Sequence, residues 1–146
     1  MSMAFSIGSV VRAERKAKGK TLSEIATALG IGLNKVWKLE KLNRGSMREL
    51  ERICQFLGLE WVGLAPGGSL GSRIRAERLK QGWTRDALSK RTGVSRPALR
   101  RVEIDRAQIS TLCAVLDIVA PDIRLRNGND LLLPKDFDFG AKKSRS

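Results

Sequence analysis

The sequence predicts an all-α fold built from two tandem copies of one small helical domain, and three observations carry that prediction. The first is an internal repeat at an offset of 63. Gly8-Ser9 aligns with Gly71-Ser72, Arg12-Ala13-Glu14-Arg15 with Arg75-Ala76-Glu77-Arg78, Gly19 with Gly82, Thr21 with Thr84, Gly30 with Gly93 and Glu40 with Glu103, which makes 10 identities in the 33 positions from Gly8 to Glu40. The second is that apolar positions keep step with the identities: Val11/Ile74, Ile25/Leu88, Ile31/Val94, Val36/Leu99 and Leu39/Val102. Their spacing is that of amphipathic helices, not of alternating strands. The third is that glycines punctuate both copies at matching places, where helices should end. After a one-residue slip the register resumes with Leu50/Leu112 and Ile53/Val115.

The elements follow in order. Residues 8–18 read as a helix that ends near Gly19, and Thr21 or Ser23 starts a second helix running through Leu29. Gly30 turns the chain, Leu33 to about Leu42 forms a third helix, and Gly45 breaks it again. Met47 to Leu57 is the fourth, with Leu50, Ile53, Cys54 and Leu57 on one face. The second copy repeats these at 71–81, 84–92, 95–104 and 109–119. In its third helix Ser95 sits where an N-cap belongs and Pro97 falls in the first turn, where a missing N–H costs little. The implied domains are 1–66 and 67–126, followed by a tail, 127–146. Each copy has about 55 residues, a size at which a core is marginal alone, so mutual packing would help both.

Short extended segments follow each bundle, Glu60 to Leu64 and Ile123 to Arg126, and Ala65-Pro66-Gly67-Gly68-Ser69 is a linker by composition. Asn127-Gly128, between Ile123–Arg126 and Leu131–Leu133, is a hairpin signal. The tail from Pro134 is polar apart from Phe137 and Phe139, and its last six residues are expected to be disordered.

Charge narrows the function. With 28 Lys+Arg against 15 Asp+Glu the chain carries +13, the balance of a protein that meets a polyanion. Residues 1–66 hold 11 basic and 6 acidic groups (+5), residues 67–126 hold 13 and 6 (+7), and the last 20 hold 4 and 3 (+1). There is no histidine, which removes imidazole bases, Ser-His triads and Cys/His zinc sites together. There is also no phosphate-binding glycine loop and no carboxylate pair set in a pocket, so neither enzyme activity nor a cofactor or metal is expected. Cys54 and Cys113 lie in apolar helical patterns and read as buried free thiols of a reducing compartment. No apolar run approaches the roughly 18 residues of a membrane span. Nothing from Met1 to Val11 reads as a charged segment before a hydrophobic core, and the expected location is the cytoplasm.

The stretch Arg85 to Glu103, RDALSKRTGVSRPALRRVE, is two short helices around a glycine corner. It resembles the helix-turn-helix of the lambda repressor/Cro (XRE-type) family. The family's spacing is a small residue, a glycine four later and a buried aliphatic six after that. Copy one supplies Ala26, Gly30 and Val36; copy two supplies Ser89, Gly93 and Leu99. The resemblance covers roughly residues 7–64 and 70–120. It implies binding to duplex DNA and regulation of transcription, with bases read from the start of the second helix and the first half of the third. In copy two those positions hold Arg85, Ser95, Arg96, Arg100 and Arg101, while Thr84, Lys90, Arg91 and Arg106 could hold phosphates. In copy one Thr21, Asn34, Lys35, Lys38 and Lys41 remain for DNA.

Copy one departs from the pattern. Leu22 stands where copy two has Arg85, Leu33 where it has Arg96, and Trp37 where it has Arg100. Leu33 and Trp37 lie four apart and so share one helix face. Three readings stay open: Leu33 and Trp37 touch thymine methyls and sugars, form a protein-binding patch, or pack against the linker or the other copy. The alternative function is accordingly a protein-interaction regulator, an antiactivator or an antitoxin, whose first domain holds a regulatory or toxin protein through Leu22, Leu33 and Trp37. The layout is also similar to Hip-type antitoxins, which end their helical domain in a strand that pairs across a dimer. That likeness implies a homodimer; the tandem repeat leads us to expect instead an intramolecular pseudo-dimer in which the two post-bundle strands pair, the alternative being that both segments are irregular coil.

Overall fold

The computed structural model describes residues 4–127 and 131–132. Its first unit consists of α1 (Ala4–Ala17), α2 (Leu22–Leu29), α3 (Leu33–Leu42) and α4 (Met47–Leu57), followed by β1 (Glu60–Val62). The second consists of α5 (Leu70–Lys80), α6 (Arg85–Thr92), α7 (Arg96–Glu103) and α8 (Ile109–Val119), followed by β2 (Arg124–Arg126) and β3 (Leu131–Leu132). The fold is all-α with short strands, and the helix limits fall within one or two residues of those read from the sequence, with one exception.

The exception is the start of α1, at Ala4 and not at residue 8. Gly8 reads as a helix boundary because glycine is a poor helix former, yet here it lies inside the helix for a packing reason. A Cβ at Gly8 would stand 2.4 Å from the Glu40 carbonyl oxygen and 2.7 Å from that of Leu39. The bare backbone lets α1 lie against the end of α3, and the Gly8 N–H donates to Asn43 Oδ1 at 2.8 Å. The second unit repeats the device. A Cβ at Gly71 would meet the Val102 and Glu103 carbonyl oxygens at 2.5 and 2.7 Å, and its N–H donates to Asp105 Oδ1 at 2.7 Å. Each unit thus fastens the far end of its third helix to its first.

The corner between the second and third helices is made by Gly30 (φ 66°) and Gly93 (φ 78°), the left-handed conformation that glycine adopts without steric cost. Beneath it, Ile25, Val36 and Leu39 in one unit and Leu88, Leu99 and Val102 in the other are fully buried. The buried residues of the two units form one continuous core, because Met47, Leu50, Ile53 and Leu57 of α4 and Ile109, Leu112, Val115 and Leu116 of α8 belong to the same cluster.

Backbone bonds join the units reciprocally. The Met47 N–H donates to the Ala107 carbonyl at 2.9 Å, and the Ile109 N–H donates to the Gly45 carbonyl at 2.8 Å. Met47 and Ile109 open equivalent helices, so exchanging the units turns one bond into the other. Strand β1 pairs antiparallel with β2 in the register Glu60↔Arg126, Trp61↔Leu125 and Val62↔Arg124. This is again the pattern of a self-complementary contact around a two-fold axis, here made within one chain. The coil alternative for the two post-bundle segments is therefore set aside. Strand β2 also pairs antiparallel with β3, Leu125↔Leu132 and Arg126↔Leu131, as the Asn127-Gly128 signal led one to expect. The linker is tied down at its start, where the Ala65 N–H donates to Glu77 Oε1 (3.0 Å) and Arg73 Nε donates to the Ala65 carbonyl (2.9 Å). Phe137 and Phe139 lie outside the described residues.

Candidate nucleic-acid interface

The second unit presents α7 on a stiff mount. Ser95 caps the helix, its Oγ accepting from the Ala98 N–H at 3.3 Å, and Pro97 follows in the first turn. Leu99, Val102 and Glu103 face inward. The opposite face carries Arg96, Arg100 and Arg101, all exposed. The side chains of Arg100 and Arg101 make no hydrogen bond or ion pair among the described residues. Arg96 has only a long, open contact with Asp86, Nη1 to Oδ1 at 3.7 Å with both side chains about two-thirds exposed, a pair of little energetic weight. Three guanidinium groups on one outward face can meet phosphates or the O6/N7 edge of guanine.

Around that helix, Lys90, Arg91 and Arg106 are exposed. Thr84 caps α6, accepting from the Ala87 N–H at 3.0 Å, and its hydroxyl keeps a proton to donate. Arg85 is engaged differently from what the sequence suggested. Its Nε and Nη2 donate to Glu103 Oε1 at 3.2 and 3.1 Å, which leaves the side chain partly exposed. Glu103 is in turn the carboxylate of a buried pair, with Arg78 Nε donating to its Oε2 at 2.6 Å. Arg78 also donates from Nη1 to the Trp83 carbonyl at 2.8 Å. The Glu103 carboxylate therefore ties α5 and α6 to the back of α7, and Arg78 adds the α5–α6 loop.

The first unit has the same pin without its third member. Arg15 Nε donates to Glu40 Oε2 at 2.7 Å and Arg15 Nη1 to the Lys20 carbonyl at 2.8 Å. Leu22 replaces Arg85, and it is partly buried against the core. These Arg–Glu pins are what reading the sequence missed. Their signal was present, since both ends recur in the repeat, but partners 25 residues apart show no local spacing.

On α3, Leu33 is 51 % exposed and Trp37 41 %. Asn34, Lys35, Lys38 and Lys41 are exposed around them, and Lys35 Nζ lies 3.3 Å from Glu49 Oε2. The cap at Gly32 makes no side-chain hydrogen bond. Thr21 caps α2 in a reciprocal box with Glu24, and the hydrogen bond from the Thr21 N–H holds the Glu24 carboxyl below its usual range. Thr21 therefore occupies the place of Thr84, with a carboxylate beside it that would meet an approaching phosphate unfavourably.

Burial raises the Cys54 thiol far out of the physiological range and pushes Cys113 up to about 12, so neither forms a thiolate at neutral pH. No helix among the described residues is long and apolar enough to cross a membrane.

Residues 74–112 match the helix-turn-helix family model, from α5 to the first turn of α8. The match includes the capped, arginine-bearing α7, and it supports a DNA-binding helix-turn-helix regulator of the XRE type in general terms. No curated protein and no solved structure matches the chain.

Proposed function

We propose that this chain is a sequence-specific, duplex-DNA-binding regulator of transcription in which α7 reads one major groove and α3 enters the next. The observation that carries the reading is α7 itself: three exposed arginines on a capped helix whose back is clamped by a buried carboxylate. Arg96, Arg100 and Arg101 are the base readers, with Ser95 and Thr84 as donors to flanking phosphates and Lys90, Arg91 and Arg106 as phosphate contacts. Arg85 serves mainly to hold α6 to Glu103. In the first unit Asn34, Lys38 and Lys41 face the duplex, with Lys35 and Thr21 at its margin. The reciprocal bonding of the units supports one chain per site. A DNA-binding dimer places two recognition helices about 34 Å apart, one turn of duplex, and two units tied by an approximate two-fold axis can meet that spacing without a second molecule.

The test is a titration of the full chain against the promoter duplex upstream of its own gene at two salt concentrations, with stoichiometry from native mass spectrometry. The expected complex is one chain per duplex, with affinity falling steeply as salt rises, because each neutralised phosphate adds about 0.9 to the log–log slope. Arg96→Ala and Arg101→Ala should each weaken binding by about 1–3 kcal/mol per lost bidentate contact. An unchanged isotherm for both variants would remove them from the reading face.

A second reading has one observation in its favour, the exposure of Leu33 and Trp37. An antiactivator or antitoxin would seat a partner protein there, and Trp37→Ala would then abolish that capture while leaving salt-sensitive DNA binding intact.

A further inference from the structure

Leu33 opens α3 as Arg96 opens α7, and Trp37 follows one turn later where α7 has Arg100. Both are large apolar side chains left substantially in water, 51 % and 41 % exposed. They do not merely complete the interior, because Val36 and Leu39 on the opposite face of α3 already fill it. Their surroundings are polar and cationic: Lys38 and Lys41 are exposed beside them together with the neutral amide of Asn34, and the one carboxylate of α3, Glu40, is buried and paired with Arg15. The occupant that suits such a surface is anionic at its edges and apolar where the helix points. A duplex major groove has this profile wherever thymine occurs, since phosphates line both rims and each thymine projects a C5 methyl into the groove. The reciprocal backbone bonds favour this occupant over an acidic protein. They relate α3 to α7 by an approximate two-fold axis, the symmetry that relates half-sites on DNA.

We propose that the first unit reads thymine methyl groups through Leu33 and Trp37, so that the binding site is composite, with guanines under α7 and thymines under α3. This rests on the DNA-binding reading above and adds the base class to it. One chain would then recognise a site whose halves differ in kind, and the loss of arginine from α3 becomes a change of the base that is read.

The experiment uses the full chain and a duplex selected on it from random-sequence DNA. Each thymine of that duplex is replaced in turn by uracil, which keeps every hydrogen-bonding group and lacks only the C5 methyl. Each guanine is replaced in turn by 7-deazaguanine, which lacks N7. The expected result is about three- to fivefold weaker binding for each contacted methyl, from the burial of one methyl group. The sensitive thymines should cluster about one helical turn from the sensitive guanines. Leu33→Ala with Trp37→Ala should erase the uracil effect and leave the deazaguanine effect in place. Both side chains are solvent-facing, and an unchanged melting temperature would verify that the variant folds. If no uracil position weakens binding while the deazaguanine positions do, the thymine assignment is wrong and DNA binding through α7 stands. If uracil sensitivity survives the double variant, other residues read the methyls and the assignment to Leu33 and Trp37 is wrong. If no duplex is selected at all, both readings fall.

Discussion

The two units share a skeleton and differ in what they display. Both fasten the first helix to the third through a bare glycine and an Asx side chain, and both turn the corner on a left-handed glycine. Both bury an Arg–Glu pair behind the third helix. On that common frame the second unit shows Arg96, Arg100 and Arg101, and the first shows Leu33 and Trp37 among lysines. Framework and reading face have therefore separated. Residues that hold the third helix in place recur as identities or near-identities, whereas most of those that look outward from it do not, the cation shared by Lys38 and Arg101 apart. The contrast teaches where to look for specificity in a repeat, namely at the positions where the copies disagree while their supports agree.

The largest effect should come from removing the pins. Glu103→Ala strands Arg78 in a buried site and should cost about 3–5 kcal/mol, a fall in melting temperature of roughly 10 °C for a chain of this size. Glu40→Ala should cost slightly less, because Glu103 also binds Arg85 and Glu40 has no counterpart to it. The difference should not exceed about 1 kcal/mol, as the Arg85 side chain is partly exposed. Equal losses in the two variants would show that the third arginine adds nothing to the mount.

A smaller effect separates the caps. Ser95→Ala removes the hydrogen bond that starts α7 and should cost about 1 kcal/mol. Gly32→Ser supplies the missing cap to α3 and should gain a few tenths of a kcal/mol. Chemical denaturation of both variants measures the pair, and a loss on Gly32→Ser would mean that the added side chain disturbs the corner.

The smallest effect depends on pH. Glu51 of α4 is matched by Cys113 in α8, so the first unit holds a carboxyl at a place where the second holds an apolar thiol. Burial raises the Glu51 carboxyl above its ordinary value of 4.5, despite the hydrogen bond that Trp61 Nε1 donates to Oε1 at 3.3 Å. A raised acid weakens the fold when ionised. The penalty is absent below the unfolded pKa and grows as pH climbs through the folded one. Glu51→Gln keeps an acceptor for Trp61 and removes the charge. It should stabilise the protein at pH 7, with the gain shrinking on acidification and gone below about pH 4. A gain that persists at pH 3 would point to packing instead of ionisation.

Much of the frame was legible because it is periodic. Glycines at 30 and 93, the apolar pairs beneath them and the strand segments after each bundle could be read by comparing the chain with itself. The start of α1 was not, since glycine at position 8 has the same appearance whether it ends a helix or lets another backbone approach. The packing of Leu22 was equally hidden: aligned with Arg85, a leucine at the start of α2 rests partly on the core, while the arginine reaches Glu103. The Arg–Glu pins were visible as repeated letters and invisible as partners. Nothing in linear spacing says that residues 25 apart will meet.

The pairing of β1 with β2 has a consequence beyond packing. Strands contributed by separate molecules come apart on dilution, whereas these are segments of one polypeptide and meet at an effective concentration on the order of millimolar whatever the bulk amount. The two-fold arrangement is thus complete in a single molecule, even one present in a handful of copies per cell. Under the proposed one chain per site, occupancy of a target should follow a simple hyperbola in protein concentration, without the threshold that obligatory pairing of subunits imposes.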